Sequence, residues 1–216
     1  MFINDRDLLV LEPNLFRDVG WLGQRLADTT GSISGTTLTV TGADLAALGV
    51  GAGYVALVNG LPVEVLARLS ATTATVSRLR ADVNDAAIPP GNVPPSVPVQ
   101  VWTLRPQINV VHQQVLRLLG IEPSADGGPV LPWQLTEAQI IRPRSLWLLE
   151  ALLTLHLVYS SAAALAGSES PLGLRAQMYL ARAGAERARA VAYLDTNGDG
   201  VAEVARYVGV ACWVRG

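Results

Sequence analysis

Along this 216-residue chain the spacing of apolar positions runs from helical to alternating, back to helical, and alternates again near the end. Residues 1–30 predict two helical pieces on either side of Pro13, with Leu15, Val19, Leu22 and Leu26 forming one core-facing stripe. From Ser32 to about Arg80 the chain becomes rich in Gly, Thr and Val with period-two alternation, first in Thr37-Leu38-Thr39-Val40-Thr41, which predicts strands. Runs at 54–58 and 61–69 flank Asn59-Gly60, a dipeptide that tolerates the positive φ of a tight hairpin. A further strand is expected at 72–79. Residues 82–98 carry Pro89, Pro90, Pro94, Pro95 and Pro98, which deny regular structure its donors and imply a wrap or linker. Residues 99–104 resume a strand pattern beside the first one.

Helical spacing returns after Pro106 with Ile108, Val111, Val115 and Leu118, and ends at Gly120. A helix over 145–167, capped by Ser145, is apolar almost all round and predicts the central element of a helical body. Over 172–192 a stripe of mostly small residues, Leu174, Met178, Ala181, Ala185, Ala188 and Ala192, predicts close helix packing. On a neighbouring face lie Arg175, Arg182, Glu186 and Arg189, read as solvated or as a subunit interface or channel lining. Short strands at 191–194 and 201–208 predict a C-terminal hairpin. The fold class is α+β: a helical body over 1–30 and 105–216, made of a long buried helix, packed helices and that hairpin, with a small β-barrel or sandwich inserted over 31–104.

Composition narrows the function classes. Half the residues are hydrophobic and only 16% are charged, a thin charged surface that favours a protein covered by partners. The net charge is −2, and all 16 basic residues are Arg, so no basic run grips a phosphate backbone. The apolar stretch 146–166 reaches the ~20 residues a bilayer requires. Glu150 and His156 inside it argue for burial within protein instead.

Candidate chemistry is sparse. His112 and His156 have no motif around them, Glu150 has no evident partner, and Cys212, the sole cysteine, sits in an apolar tail; no enzyme is read here. The exception is Asp195-Thr196-Asn197-Gly198-Asp199-Gly200-Val201-Ala202-Glu203. Oxygen side chains at Asp195, Asn197, Asp199 and Glu203, with Gly200 at the bend, match what Ca²⁺ needs from one loop. Position twelve is Arg206 rather than a bidentate Glu, and the flanks read as strand rather than helix, which argues against an EF-hand. Asn-Gly and Asp-Gly equally serve a metal-free turn, and that reading is preferred. No cofactor is required, and Ca²⁺ is the one candidate.

Local phrases then supply a family. The opening Ile3-Asn4-Asp5-Arg6-Asp7-Leu8-Leu9, the β-insert closing on Ser77-Arg78-Leu79-Arg80 and Ile88-Pro89-Pro90, and Leu104-Arg105-Pro106-Gln107-Ile108 leading into a helix resemble the head-to-tail connector (adaptor) proteins of tailed bacteriophages. Thr136-Glu137-Ala138-Gln139, the helix around Leu152 to Tyr159, the Arg-bearing helix and the acidic hairpin look like the same family's body. The resemblance implies a structural protein of the virion neck, forming a homo-oligomeric ring, typically of twelve subunits, beneath the portal protein. Such a ring extends the DNA channel toward a tail or stopper protein, and DNA passes without specific binding. It also implies that a C-terminal segment, here Val210, Cys212, Trp213 and Val214, docks into the portal. A calcium-stabilised binding module organised by the acidic loop is the alternative.

Overall fold

The computed structural model describes residues 1–121, 135–167 and 169–208. The chain divides into two compact units, one of Asn4–Pro106 and one of Met1–Ile3 with Gln107–Gly216. The mixed α+β class is as expected. The barrel unit, however, takes in the N-terminal helices that the hydrophobic pattern assigned to the helical body.

In the Asn4–Pro106 unit, α1 (Asp5–Leu11) and α2 (Leu15–Asp18) lead through a short 3₁₀ turn into six strands. These are β1 (Gln24–Ser34), β2 (Thr37–Thr41), β3 (Val55–Val58), β4 (Leu61–Arg68), β5 (Thr73–Ser77) and β6 (Val93–Thr103). All pair antiparallel and close a barrel in the order β1-β2-β5-β4-β3-β6. Closure removes every sheet edge, and period-two alternation sends Leu38, Val40, Ala56, Val58, Val63 and Val65 into the core. The β3–β4 hairpin has Asn59 at φ 51° and Gly60 at φ 77°, the two positive values of a type I′ turn. A Cβ at Gly60 meets nothing within 4 Å, so Gly60→Val costs backbone strain rather than a clash. We expect a loss of about 1 kcal/mol or more, read as a lower melting temperature; an unchanged melt and β-content would count against the turn.

Two expectations fail in this unit. The stripe through Leu22 and Leu26 predicts helix, yet β1 begins at Gln24. Its core-facing residues include Ala27 and Gly31, too small to make alternation visible. Gly31 is required there, because a Cβ would stand 2.4 Å from the Thr39 carbonyl oxygen. The Pro-rich stretch is not a linker over its whole length, for β6 contains Pro94, Pro95 and Pro98. Val93 opposes Ile33 and Val97 opposes Gly31, so Pro94, Pro95 and Ser96 occupy a bulge where no ladder donor is needed. Ser96 carries the positive φ of that bulge, 67°.

The first helix is fastened to the barrel by charge. Asn4 caps α1 in a reciprocal pair with Asp7. Asp5 accepts from the Thr103 hydroxyl and the Leu104 amide, both at 2.7 Å. Glu64, 1% exposed, accepts from Arg6 Nε at 3.0 Å on one oxygen and from Arg80 Nε at 2.7 Å on the other. Below them Ser77 and Arg78 hold the incoming chain through the backbone of Ile88 and the carbonyl of Pro90.

In the other unit α3 (Arg105–Leu118) supplies all but its first two residues, followed by α4 (Trp147–Ala166), α5 (Pro171–Arg187) and a hairpin of β7 (Val191–Leu194) and β8 (Val204–Tyr207). α4 is long and apolar enough to cross a membrane by length and composition, and 56% of its most apolar window is buried inside the protein. It ends at Gly167, φ 92°, as expected. Ser145 does not cap it: its hydroxyl donates to the Arg142 carbonyl, and Leu146 takes the cap position. α5 starts at Pro171 behind Ser170, whose hydroxyl accepts from the Gly173 amide at 3.2 Å.

The face α5 buries is not the expected one. Gly173, Ala176, Tyr179, Ala183 and Glu186 turn inward, and Tyr179 stacks on Tyr159 of α4 at 5.6 Å. Leu174, Met178, Ala181, Ala185 and Ala188 are exposed, and Ala192 lies in β7. Small residues do permit close approach to α4, but on the stripe containing Tyr179, whose ring buries more surface than Met178.

Candidate functional site

The acidic loop joins β7 to β8, and its shape comes from Asp195. One oxygen of that carboxylate accepts from the amides of Asn197 (3.2 Å) and Gly198 (2.6 Å), the other from Gly200 (2.7 Å). The Gly200 bond leads these backbone contacts in holding the Asp195 carboxyl below its usual range. Gly198 and Gly200 both have φ 84°, which lets the loop fold back on the carboxylate. Asp199 accepts from the Val201 amide and pairs its other oxygen with the Asn197 side chain, while Glu203 accepts from Thr196 N–H at 2.7 Å.

One oxygen from each of Asp195, Asp199 and Glu203 lies within 4.8 Å of the others. The sequence-predicted ligands are thus neighbours, with Asn197 turned to Asp199. The same carboxylates are the acceptors that shape the turn, so the loop's geometry is accounted for without an ion. Calorimetry at millimolar Ca²⁺ is expected to show no binding and no shift in melting. A chelator-sensitive melt that Asp199→Ala abolishes would reverse that expectation.

The charged positions on α5 divide. Arg175 donates to the Tyr159 hydroxyl at 3.1 Å and lies over its ring, so it fastens α5 to α4. Glu186 is buried and pairs with the exposed Arg189 at 2.5 Å, and Arg182 is exposed. Val210, Cys212, Trp213 and Val214 lie outside the described residues.

The histidines are held by packing. His156 Nδ1 lies 3.0 Å from the Ala176 carbonyl, tying α4 to α5. His112, 2% exposed, has Nδ1 3.3 Å from Glu150 Oε2. Its Nε2 is 3.1 Å from Glu137, close enough to pair charges but outside the angles of a hydrogen bond. The fully buried Glu150 also accepts from the Phe2 amide, and the Phe2 ring stands edge-on to the imidazole at 4.7 Å. This buried cluster gives Glu150 the partner that sequence reading could not name.

Sequence reading also missed a groove of about 420 Å³ between α3, α4 and α5. Its floor is Leu118, Leu149, Leu153 and Leu180, and Arg117 and Arg187 stand at its rim. Neither histidine lines it. Of the lining residues Leu180 is 51% exposed, and on another side of α5, outside the groove, Leu174 (56%) and Met178 (40%) are exposed as well. The signal was present as leucines at helical spacing, but which of them are covered depends on how three helices cross.

The chain matches no family model, no curated protein and no solved structure. Function therefore rests on its own residues and on the resemblance of its local phrases. A leucine-lined groove with exposed arginines, and a separate exposed apolar stripe on α5, have the chemistry of surfaces that contact other protein.

Proposed function

We propose that this protein is a structural, non-enzymatic head-to-tail adaptor of a tailed-bacteriophage virion. It forms a closed homo-oligomeric ring, of twelve subunits by analogy with the family, between the portal above and a tail or stopper protein below. The observation that carries this reading is the pair of apolar surfaces α5 leaves uncovered, Leu174 and Met178 on one side and the leucine-lined groove on another, which supply contacts for neighbours on a helical unit. The family resemblance gives the assembly its identity, and the low charge with a net −2 suits a conduit that DNA traverses without adhering. Portal-bearing capsids lacking their adaptor, incubated with the purified protein, are expected to acquire a ring visible by electron microscopy at the portal vertex. Isolated single copies, or no attachment, would overturn the proposal.

The convergence of Asp195, Asp199 and Glu203 favours the calcium-stabilised binding module as a second reading. Strong thermal stabilisation by Ca²⁺ without capsid attachment would select it.

A further inference from the structure

We infer that the groove between α3, α4 and α5 is the receptor for the acidic β7–β8 loop of a second copy of this chain. The inference rests on the ring reading above and names the surfaces that would build it.

The groove offers an apolar lining with two cations. Arg117 and Arg187 are exposed, and among the described residues neither is paired with a carboxylate. Leucines from all three helices line the groove with them, and its volume of about 420 Å³ falls inside the about 300–1,000 Å³ typical of sites that seat a compact ligand.

The loop offers the reverse pattern. Val201, 62% exposed, stands two residues after Asp199 and two before Glu203. Asp195, Asp199 and Glu203 crowd three carboxylates within 4.8 Å, and no cation pairs with them among the described residues. The loop thus presents an exposed valine and a cluster of carboxylates to a groove that presents leucines and two arginines, so a single docking sets Val201 on the apolar lining and the carboxylate cluster against the arginines. The protein's own loop does not line its own groove, and a second copy carries the loop whose charge and apolar tip match it. Loop and groove are different surfaces, so the contact is heterologous and propagates until rotation closes it into a ring.

Sedimentation velocity up to about 1 mM protein tests the contact at the weak affinities such a surface supports. Wild-type protein is expected to self-associate. Val201→Arg sets a cation against the Arg rim, and Arg117→Glu/Arg187→Glu sets acids against the acidic loop. Each variant alone is expected to lose association by about tenfold or more. Mixed together they are expected to regain it, because the new Arg of one meets the new acids of the other while the remaining loop and groove still match. A photocross-linking residue at position 201 is expected to couple to α3, α4 or α5 of another copy, which reads the contact without charge substitutions. No self-association, unchanged association in either variant, no rescue on mixing, or no cross-link to those helices would each overturn the inference. Rings on capsids that tolerate the charge reversals would remove this contact and keep the adaptor reading. Loop-in-groove association without capsid attachment would do the opposite.

Discussion

Glu64→Ala is expected to destabilise the barrel unit by about 3–5 kcal/mol, the loss typical when one member of a buried charge cluster is removed. Glu64 is 1% exposed and each of its oxygens serves a different arginine, Arg6 from α1 and Arg80 from the segment after β5. Alanine removes the carboxylate that two guanidinium groups share, while Asp7, 3.3 Å from Arg6, still serves one of them. Most of the cost is therefore the stranded charge and not the lost attraction. Replacing the cluster whole, Arg6→Met/Glu64→Leu/Arg80→Met, is expected to cost much less than Glu64→Ala alone. Urea denaturation followed by circular dichroism measures both. A Glu64→Ala loss below about 1 kcal/mol would mean that the arginines reach water and that the cluster does not fasten α1 to the barrel.

This cluster explains what the phrases carrying the family resemblance do. Asn4 caps α1, Asp5 holds the Thr103-Leu104 turn, Arg6 and Arg80 share Glu64, and Ser77 and Arg78 bind the backbone at Ile88 and Pro90. They are fastenings of a fold and touch no pocket among those described. Their spacing along the chain, with Arg6 58 residues from Glu64, makes them legible as phrases and illegible as contacts.

The strands read correctly where alternation was strong, as in Thr37-Leu38-Thr39-Val40-Thr41 and on both sides of Asn59-Gly60. They were missed where the core-facing side chain was small, at Ala27 and Gly31, and where prolines hid in a bulge, at Pro94 and Pro95. Helix α5 was read as a helix with the wrong face inward, since period alone cannot rank Tyr179 against Leu174 and Met178. That error conceals the surface used in the functional proposal: residues taken for packing are the ones left for a neighbour. The acidic loop was legible because the hydrogen bonds that shape its turn run between residues 195 and 203. The groove was not, because its lining comes from three helices.

The helical unit is expected to lose about 3 kcal/mol or more on Glu150→Ala, and to lose its pH response with it. Glu150 is the buried acceptor for His112 and for the Phe2 amide, so alanine leaves an imidazole and an N–H facing apolar surroundings. The largest single influence on His112 is burial, which opposes its charge. Its hydrogen bond to Glu150 and its charge pairing with Glu137 and Glu150 together outweigh that and leave its pKa above the ordinary 6.5. A group raised in the folded state gives stability that is full below 6.5 and is lost as pH rises through the raised value. Glu137 has the opposite sign: burial pushes it up, but His112 and the chain's amino group pull it below 4.5, so its contribution is present above 4.5 and lost on acidification. The helical unit should therefore be most stable between about pH 4.5 and 6.5 and weaken toward pH 9. Asp5 adds a response of the barrel unit in the same direction, because burial raises it to about 6 against its bonds from Thr103 and Leu104, so its contribution is full below 3.8 and lost as pH passes 6. Thermal melts of wild type, Glu150→Ala and Glu150→Gln from pH 4 to 9 separate the two: Glu150→Ala should flatten the slope above pH 6.5 and leave the change near pH 6 in place. An unaltered alkaline slope in Glu150→Ala would show that Glu150 is not what raises His112 in the folded chain.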